Sequence, residues 1–196
     1  MKLLSQLIAV LALALSLQVS ADEPREASID WQSSADISTL IEFKLDAVNG
    51  EITYGPNFAY SDKALLDNFS EIYLVRAIDH QGQDQYVLYI TAQYNDKDWR
   101  SYKNAKLKNG AQPIKLVSLS TDMNVCPEAS CRYEERMAIP LSMINFFDSA
   151  NMGMNLTIDG NSSYNIALPS SYFRAILDAA PEEELYDNLP AQDQSI

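Results

Sequence analysis

Six bases crowd into one short stretch of an otherwise acidic chain: Lys97, Arg100, Lys103, Lys106, Lys108 and Lys115, with Asp98 the one acid among them. Tyr94, Trp99 and Tyr102 are interleaved with these cations. Cations beside aromatic faces hold sugars, aromatic groups or acidic partners. The candidate binding residues are therefore Tyr94, Trp99, Arg100, Tyr102 and Lys103. The competing reading places Trp99 in the core and makes the lysines a solvated edge that discourages strand-to-strand aggregation.

Other chemistry-bearing residues are sparse. His80 is the only imidazole, beside Asp79, and no Gly-x-Ser-x-Gly elbow supplies a nucleophile for it, so it reads as a solvated loop residue. Glu134 and Glu135 are adjacent, so on a strand they point to opposite faces and cannot flank one bond. Pairing with a neighbouring Lys or Arg across strands is the simpler role for them. Asp159-Gly160-Asn161 resembles part of a calcium loop without its regular spacing, and reads as a turn. Asn95-Asp96-Lys97-Asp98 offers oxygen ligands with a lysine among them. No catalytic residue, metal site or cofactor is assigned.

Cys126 and Cys131 are the only cysteines, and with one His they cannot assemble a Cys/His zinc site. Their spacing is not Cys-x-x-Cys, so the pair is expected to form a structural disulfide. A compartment that permits it is expected from the N-terminus. Lys2, the apolar run Leu3 to Leu17 and the small residues Val19-Ser20-Ala21 have the layout of a secretory signal peptide. The mature chain is expected to start at Asp22, in the periplasm or outside the cell, with no transmembrane segment of its own. Net charge is −13, and removing Lys2 with the signal segment takes it to −14. Such a surface repels phosphate backbones, so nucleic acid is not an expected partner.

The elements that must position these residues are mostly strands. From Thr39, Ile41, Phe43, Leu45 and Ala47 alternate with Glu42, Lys44 and Asp46, the pattern of a half-buried strand. Asn49-Gly50 turns it toward Ile52-Thr53-Tyr54. Residues 72–78 and 86–94 alternate around the break at His80–Asp84 and form the clearest hairpin. Further hairpins are expected for 99–107 with 114–119, for that strand with 133–139 through the cysteine loop, and for 155–158 with 164–168. Helices are expected over 142–150 and from a Ser170-Ser171 cap to about Ala179, where Phe173, Ile176, Leu177 and Ala180 share a face.

The expected fold is mainly β: an antiparallel β-sandwich or open barrel with two short helices toward the C-terminus. Residues 1–21 form the signal peptide, 22–36 a flexible leader, 37–180 one β-rich domain and 181–196 an acidic mobile tail. The expected function is that of a non-catalytic exported module that binds an envelope or extracellular partner. A carboxylate-dependent hydrolase acting on polysaccharide or cell wall is the alternative. Two carboxyl groups roughly 5–9 Å apart in a cleft would favour the hydrolase. An exposed apolar patch or an unpaired sheet edge would favour an assembly component.

Overall fold

A computed structural model describes residues 29–46, 50–108, 113–124, 126 and 131–179. The expected signal segment and acidic tail lie outside the described residues. The chain is mainly β, with two antiparallel sheets and three short helices.

The larger sheet contains β1 (Ile41–Asp46), β2 (Glu51–Pro56), β3 (Phe69–Ile78), β4 (Asp84–Asp96), β7 (Val117–Asn124) and β8 (Cys131–Leu141), in the order β1-β2-β3-β4-β8-β7. The smaller contains β5 (Asn104–Leu107), β6 (Pro113–Lys115), β9 (Met154–Asp159) and β10 (Ser163–Leu168), in the order β10-β9-β5-β6. Alternation sets the inner faces. Tyr86, Leu88, Ile90, Ala92 and Tyr94 of β4 are all buried, as are Tyr133, Met137, Ile139 and Leu141 of β8. Residues of both sheets and all three helices build one apolar core.

The chain changes sheets by different means. Residues 97–103 carry it from β4 to β5. The expected strand 114–119 is divided between the sheets at Leu116, with β6 on one side and β7 on the other. Helix α2 (Met143–Met152) leads from β8 to β9; the Ser142 hydroxyl accepts from the Asn145 N–H at 3.2 Å and caps it. Gly153 ends it at φ 75°, a conformation that favours glycine.

Helix α3 (Ser170–Asp178) completes a sheet edge. β2 pairs with β3 only from Ile78 to Arg76, which leaves the upper part of β3 without a strand on that side. There the Leu74 N–H donates to the Tyr172 hydroxyl at 2.9 Å, and the Tyr60 N–H donates to Ile72 O at 2.8 Å. Pro169 is the cap residue of α3, where Ser170-Ser171 was expected. Ser171 is diverted because its hydroxyl donates to Trp31 O.

That bond also ties down part of the stretch read as leader. Trp31 packs edge-on against Tyr60 and at a tilt against Tyr172, with ring centroids 5.1 and 5.4 Å away. The short helix α1 (Ser34–Ser38), capped by Ser33, buries Ile37 completely. One aromatic anchor and one aliphatic side chain thus fold residues 31–38 onto the domain.

The hairpin β1–β2 departs from its expected half-burial. β2 buries Ile52 and Tyr54, in a small cluster with Ile78 that is separate from the main core. β1 is exposed on both faces beyond Ile41: Phe43 is 61% exposed and Leu45 49%.

Candidate functional site

The aromatic and basic stretch folds inward. Tyr94 on β4 and Glu135 on β8 are diagonal neighbours on the inner face, opposite Tyr133 and Ala92 respectively, and the chain beyond β4 turns back over them. The Tyr94 hydroxyl donates to Glu135 Oε1 and accepts the Arg100 N–H at 2.9 Å. Glu135 Oε1 also accepts the Ser101 N–H, and Oε2 the Tyr102 N–H, each at 3.1 Å. Ser101 adopts φ 51°, which turns these successive amides toward one carboxylate. A buried carboxylate is tolerated because three donors converge on it.

Arg100 is buried in the same place. Its guanidinium lies 4.0 Å from the Tyr94 ring centroid and 4.4 Å from that of Tyr164. It donates from Nη1 to Asn68 Oδ1 at 2.8 Å and from Nε to Asp96 Oδ2 at 3.4 Å. Burial pushes Tyr102 up to about 12, against the opposing pull of Arg100. Burial, reinforced by the bond to Glu135, raises Tyr94 further. Both phenols therefore stay protonated and serve as neutral hydrogen-bonding groups at ordinary pH.

The turn Asp159-Gly160-Asn161 closes over the outside of this junction. Asn161 Nδ2 donates to Trp99 O at 2.8 Å, and the Lys103 N–H donates to Asp159 O at 2.9 Å. A Cβ at Gly160 would collide with the carbonyl oxygens of Arg100 and Ser101. The turn is thus a clamp on residues 99–103, and only glycine lets the two backbones approach so closely.

Three of the five expected contact residues are buried: Tyr94, Arg100 and Tyr102 are 3%, 7% and 4% exposed. Trp99 is half-buried against Tyr133, its ring centroid 4.6 Å away. Lys103 is exposed. Lys106 and Lys115 stand apart from the aromatics, on the polar outer face of the small sheet, since Ala105 between Lys106 and Asn104 points inward. Glu135 was the residue missed. Its parity with Tyr133, Met137 and Ile139 on β8 was the available signal, and the paired reading of Glu134-Glu135 obscured it. Glu134 forms its ion pair with Arg136 of its own strand at 2.8 Å, and across strands it accepts from Gln93 Nε2 at 3.4 Å. The two carboxylates do point to opposite faces. His80 is exposed in the β3–β4 loop, and Cys126 and Cys131 are joined by a disulfide.

The surface that is available is apolar. Of eleven exposed large hydrophobic side chains among the described residues, eight lie on three elements. Phe43 and Leu45 are on edge strand β1; Leu119 and Met123 are on the opposite edge strand, β7; Met143, Ile144, Phe147 and Met152 are on α2. Helix α2 is apolar on two sides: Phe146 and Ala150 face the core, with Phe146 stacked 3.9 Å from Tyr86, while Met143, Ile144 and Phe147 face out. Beside β1, a groove of about 330 Å³ on the outer face of the large sheet is lined by Glu42, Lys44, Thr53, Tyr73 and Val75 among others. A second, of about 160 Å³, lies between α2 and β9 and holds Asp148. Each of these two cavities thus holds one carboxylate.

No described helix is long and apolar enough to cross a membrane. In comparisons with protein-family models, curated proteins and solved structures, nothing matches this chain.

Proposed function

We propose that the mature chain is an exported, non-catalytic interaction module whose contacts are made by apolar surface at the sheet edges and on α2. The observation that carries this reading is the concentration of exposed large hydrophobics on those three elements. Single exposed hydrophobics are ordinary, whereas gathered ones mark contact sites. Methionine-rich helical faces suit adaptable contacts, because the side chain is flexible and polarizable. Glu134 and Glu135 give the hydrolase alternative no support, since they sit on opposite faces and Glu135 is spent on internal donors. The extracytoplasmic setting is supported by the disulfide together with the signal-like N-terminus.

A photo-crosslinking residue in place of Ile144, in the full chain expressed and exported in its native cells, tests the reading. It should give a discrete adduct, while the same residue in place of Lys106 should not. A folded, exported protein that forms no adduct at position 144 overturns the role of α2. N-terminal sequencing should begin at Asp22; a retained Met1 overturns the exported setting.

A further inference from the structure

We infer that β1 is a self-complementary edge through which two copies of this chain pair, joining their six-stranded sheets into one. The inference rests on the reading of β1 as a contact surface and names its partner; it makes no use of α2.

The backbone shows which groups are available. The Asn57 N–H donates to Leu40 O at 2.9 Å, so position 40 bonds toward β2, and Ile41 stands opposite Pro56, which has no N–H to give. In an antiparallel ladder bonding alternates along each strand. Positions 42 and 44 therefore bond toward β2, while Ile41, Phe43 and Leu45 aim their N–H and C=O groups outward. No other backbone group among the described residues meets those three. Residues 42–46 are exposed, so no described residue covers the edge, and the pairing with β2 runs without a register shift. β7, the other edge, has a register irregularity between Ser118 and Ser120, a common way to guard an edge.

Side-chain chemistry then selects the occupant. Consider two copies of Ile41-Glu42-Phe43-Lys44-Leu45 antiparallel about a two-fold axis through Phe43. Phe43 faces Phe43 of the second copy, and each Ile41 faces a Leu45, all on one side of the sheet. On the other side, each Glu42 faces a Lys44, twice over by symmetry. Phe43 and its equivalent become a hydrogen-bonded pair, as do Ile41 and Leu45. The two Glu–Lys pairs fall at non-hydrogen-bonded positions, where side chains approach most closely. Among the described residues Lys44 has no ion pair and Glu42 engages only Oε1, which accepts from Asn57 Nδ2 at 3.0 Å.

The neighbouring registers fail. Centring on Lys44 sets Lys44 against Lys44, and centring on Glu42 sets Glu42 against Glu42. A one-residue slip would oppose apolar to charged faces and require groups already bonded to β2. A lone lysine on an edge strand usually discourages pairing. Here the glutamate two residues away reverses that effect in one register and leaves it in force in the others. Since the contact is isologous, it closes at two copies and does not propagate.

Equilibrium sedimentation of the purified mature chain over micromolar to millimolar concentration tests this. The wild type should show a reversible monomer–dimer equilibrium. Phe43→Pro deletes an outward N–H, which β2 does not use, and should abolish the dimer while leaving the fold intact by circular dichroism. Glu42→Lys or Lys44→Glu alone turns two attractions into two repulsions and should weaken dimerisation about tenfold. The double exchange Glu42→Lys with Lys44→Glu restores complementarity and should recover affinity to within about threefold of wild type. A wild type that stays monomeric throughout overturns the inference. So does a dimer that both single exchanges leave unchanged, which would place the contact elsewhere. A monomer that still crosslinks through position 144 overturns the self-pairing alone and leaves the interaction-module reading standing.

Discussion

The junction around Arg100 and the hairpin β1–β2 are written in similar residues and end in opposite environments. Each alternates aromatic or aliphatic side chains with charges. At the junction, Arg100 and Glu135 are buried with their polar atoms engaged by Tyr94, Asn68, Asp96 and two backbone amides. On β1, Phe43 and Leu45 face solvent, and the outward backbone groups have no partner among the described residues. Charge does not keep a segment outside, nor apolarity inside. What decides is whether the surrounding chain can supply donors and acceptors at the right places. The junction is therefore where buried polar groups find their partners, and the hairpin is where surface is left over.

Alkaline pH should break the junction most completely. Burial pushes Tyr102 up to about 12 there, and burial aided by Asp62 does the same to Tyr60 beneath Trp31. Tyr94 and Tyr172 are raised further, burial being the largest cause for each. A folded-state value above the unfolded value near 10 stabilises the native state below that pH, and the stabilisation is lost as pH rises through the folded value. The fold should hold to about pH 10 and unfold cooperatively between about pH 10 and 12. Far-ultraviolet circular dichroism recorded with phenolate absorbance checks this: every tyrosine ionising near pH 10 in a folded protein would contradict it.

Glu135→Ala comes next. It leaves two backbone amides and the Tyr94 hydroxyl without their acceptor, and should cost about 3 kcal/mol. A urea midpoint within error of wild type would show that the carboxylate holds nothing together. Gly160→Ala attacks the same junction from outside. Its methyl meets backbone oxygens that cannot rotate away, so a loss of roughly 2–3 kcal/mol is expected in the same titration. Cys126→Ser opens a loop whose closure is worth roughly 2 kcal/mol in the chain-entropy model, and it should lower stability without unfolding the domain. Mass spectrometry of unreduced wild type should find no free thiol.

The hairpin should give the smallest effect. Phe43→Thr, on a strand exposed on both faces, should move the urea midpoint of dilute monomer by no more than about 0.5 kcal/mol. A loss as large as that of Gly160→Ala would mean that Phe43 belongs to the core.

Much of this fold was legible as period. The five hairpin relations were all visible as alternation broken by turn residues, α2 as a Met-, Ile- and Phe-rich run beyond Pro140, and α3 as apolar spacing beyond Ser170. Helix α1 was not: at five residues it is too short to show a period, and it forms because Ile37 and Trp31 find the core. The burial of three candidate contact residues was hidden for a related reason. Tyr94, Arg100 and Tyr102 have the composition of a contact surface, and composition is the same whether a segment faces out or in. Parity along β8 set Glu135 beside Met137 and Ile139, so its inward direction was readable, but its partners were not.

By itself, then, the sequence determined most of the strands, which side chains share a face and the Cys126–Cys131 pair, because those depend on neighbours a few residues apart. Only the tertiary structure decided which faces are covered. It brings Tyr164 and the Gly160 turn onto Arg100 from some sixty residues away, and it sets no other described strand against the open edge of β1. Burial is a property of what arrives from elsewhere in the chain, and no local pattern records that arrival.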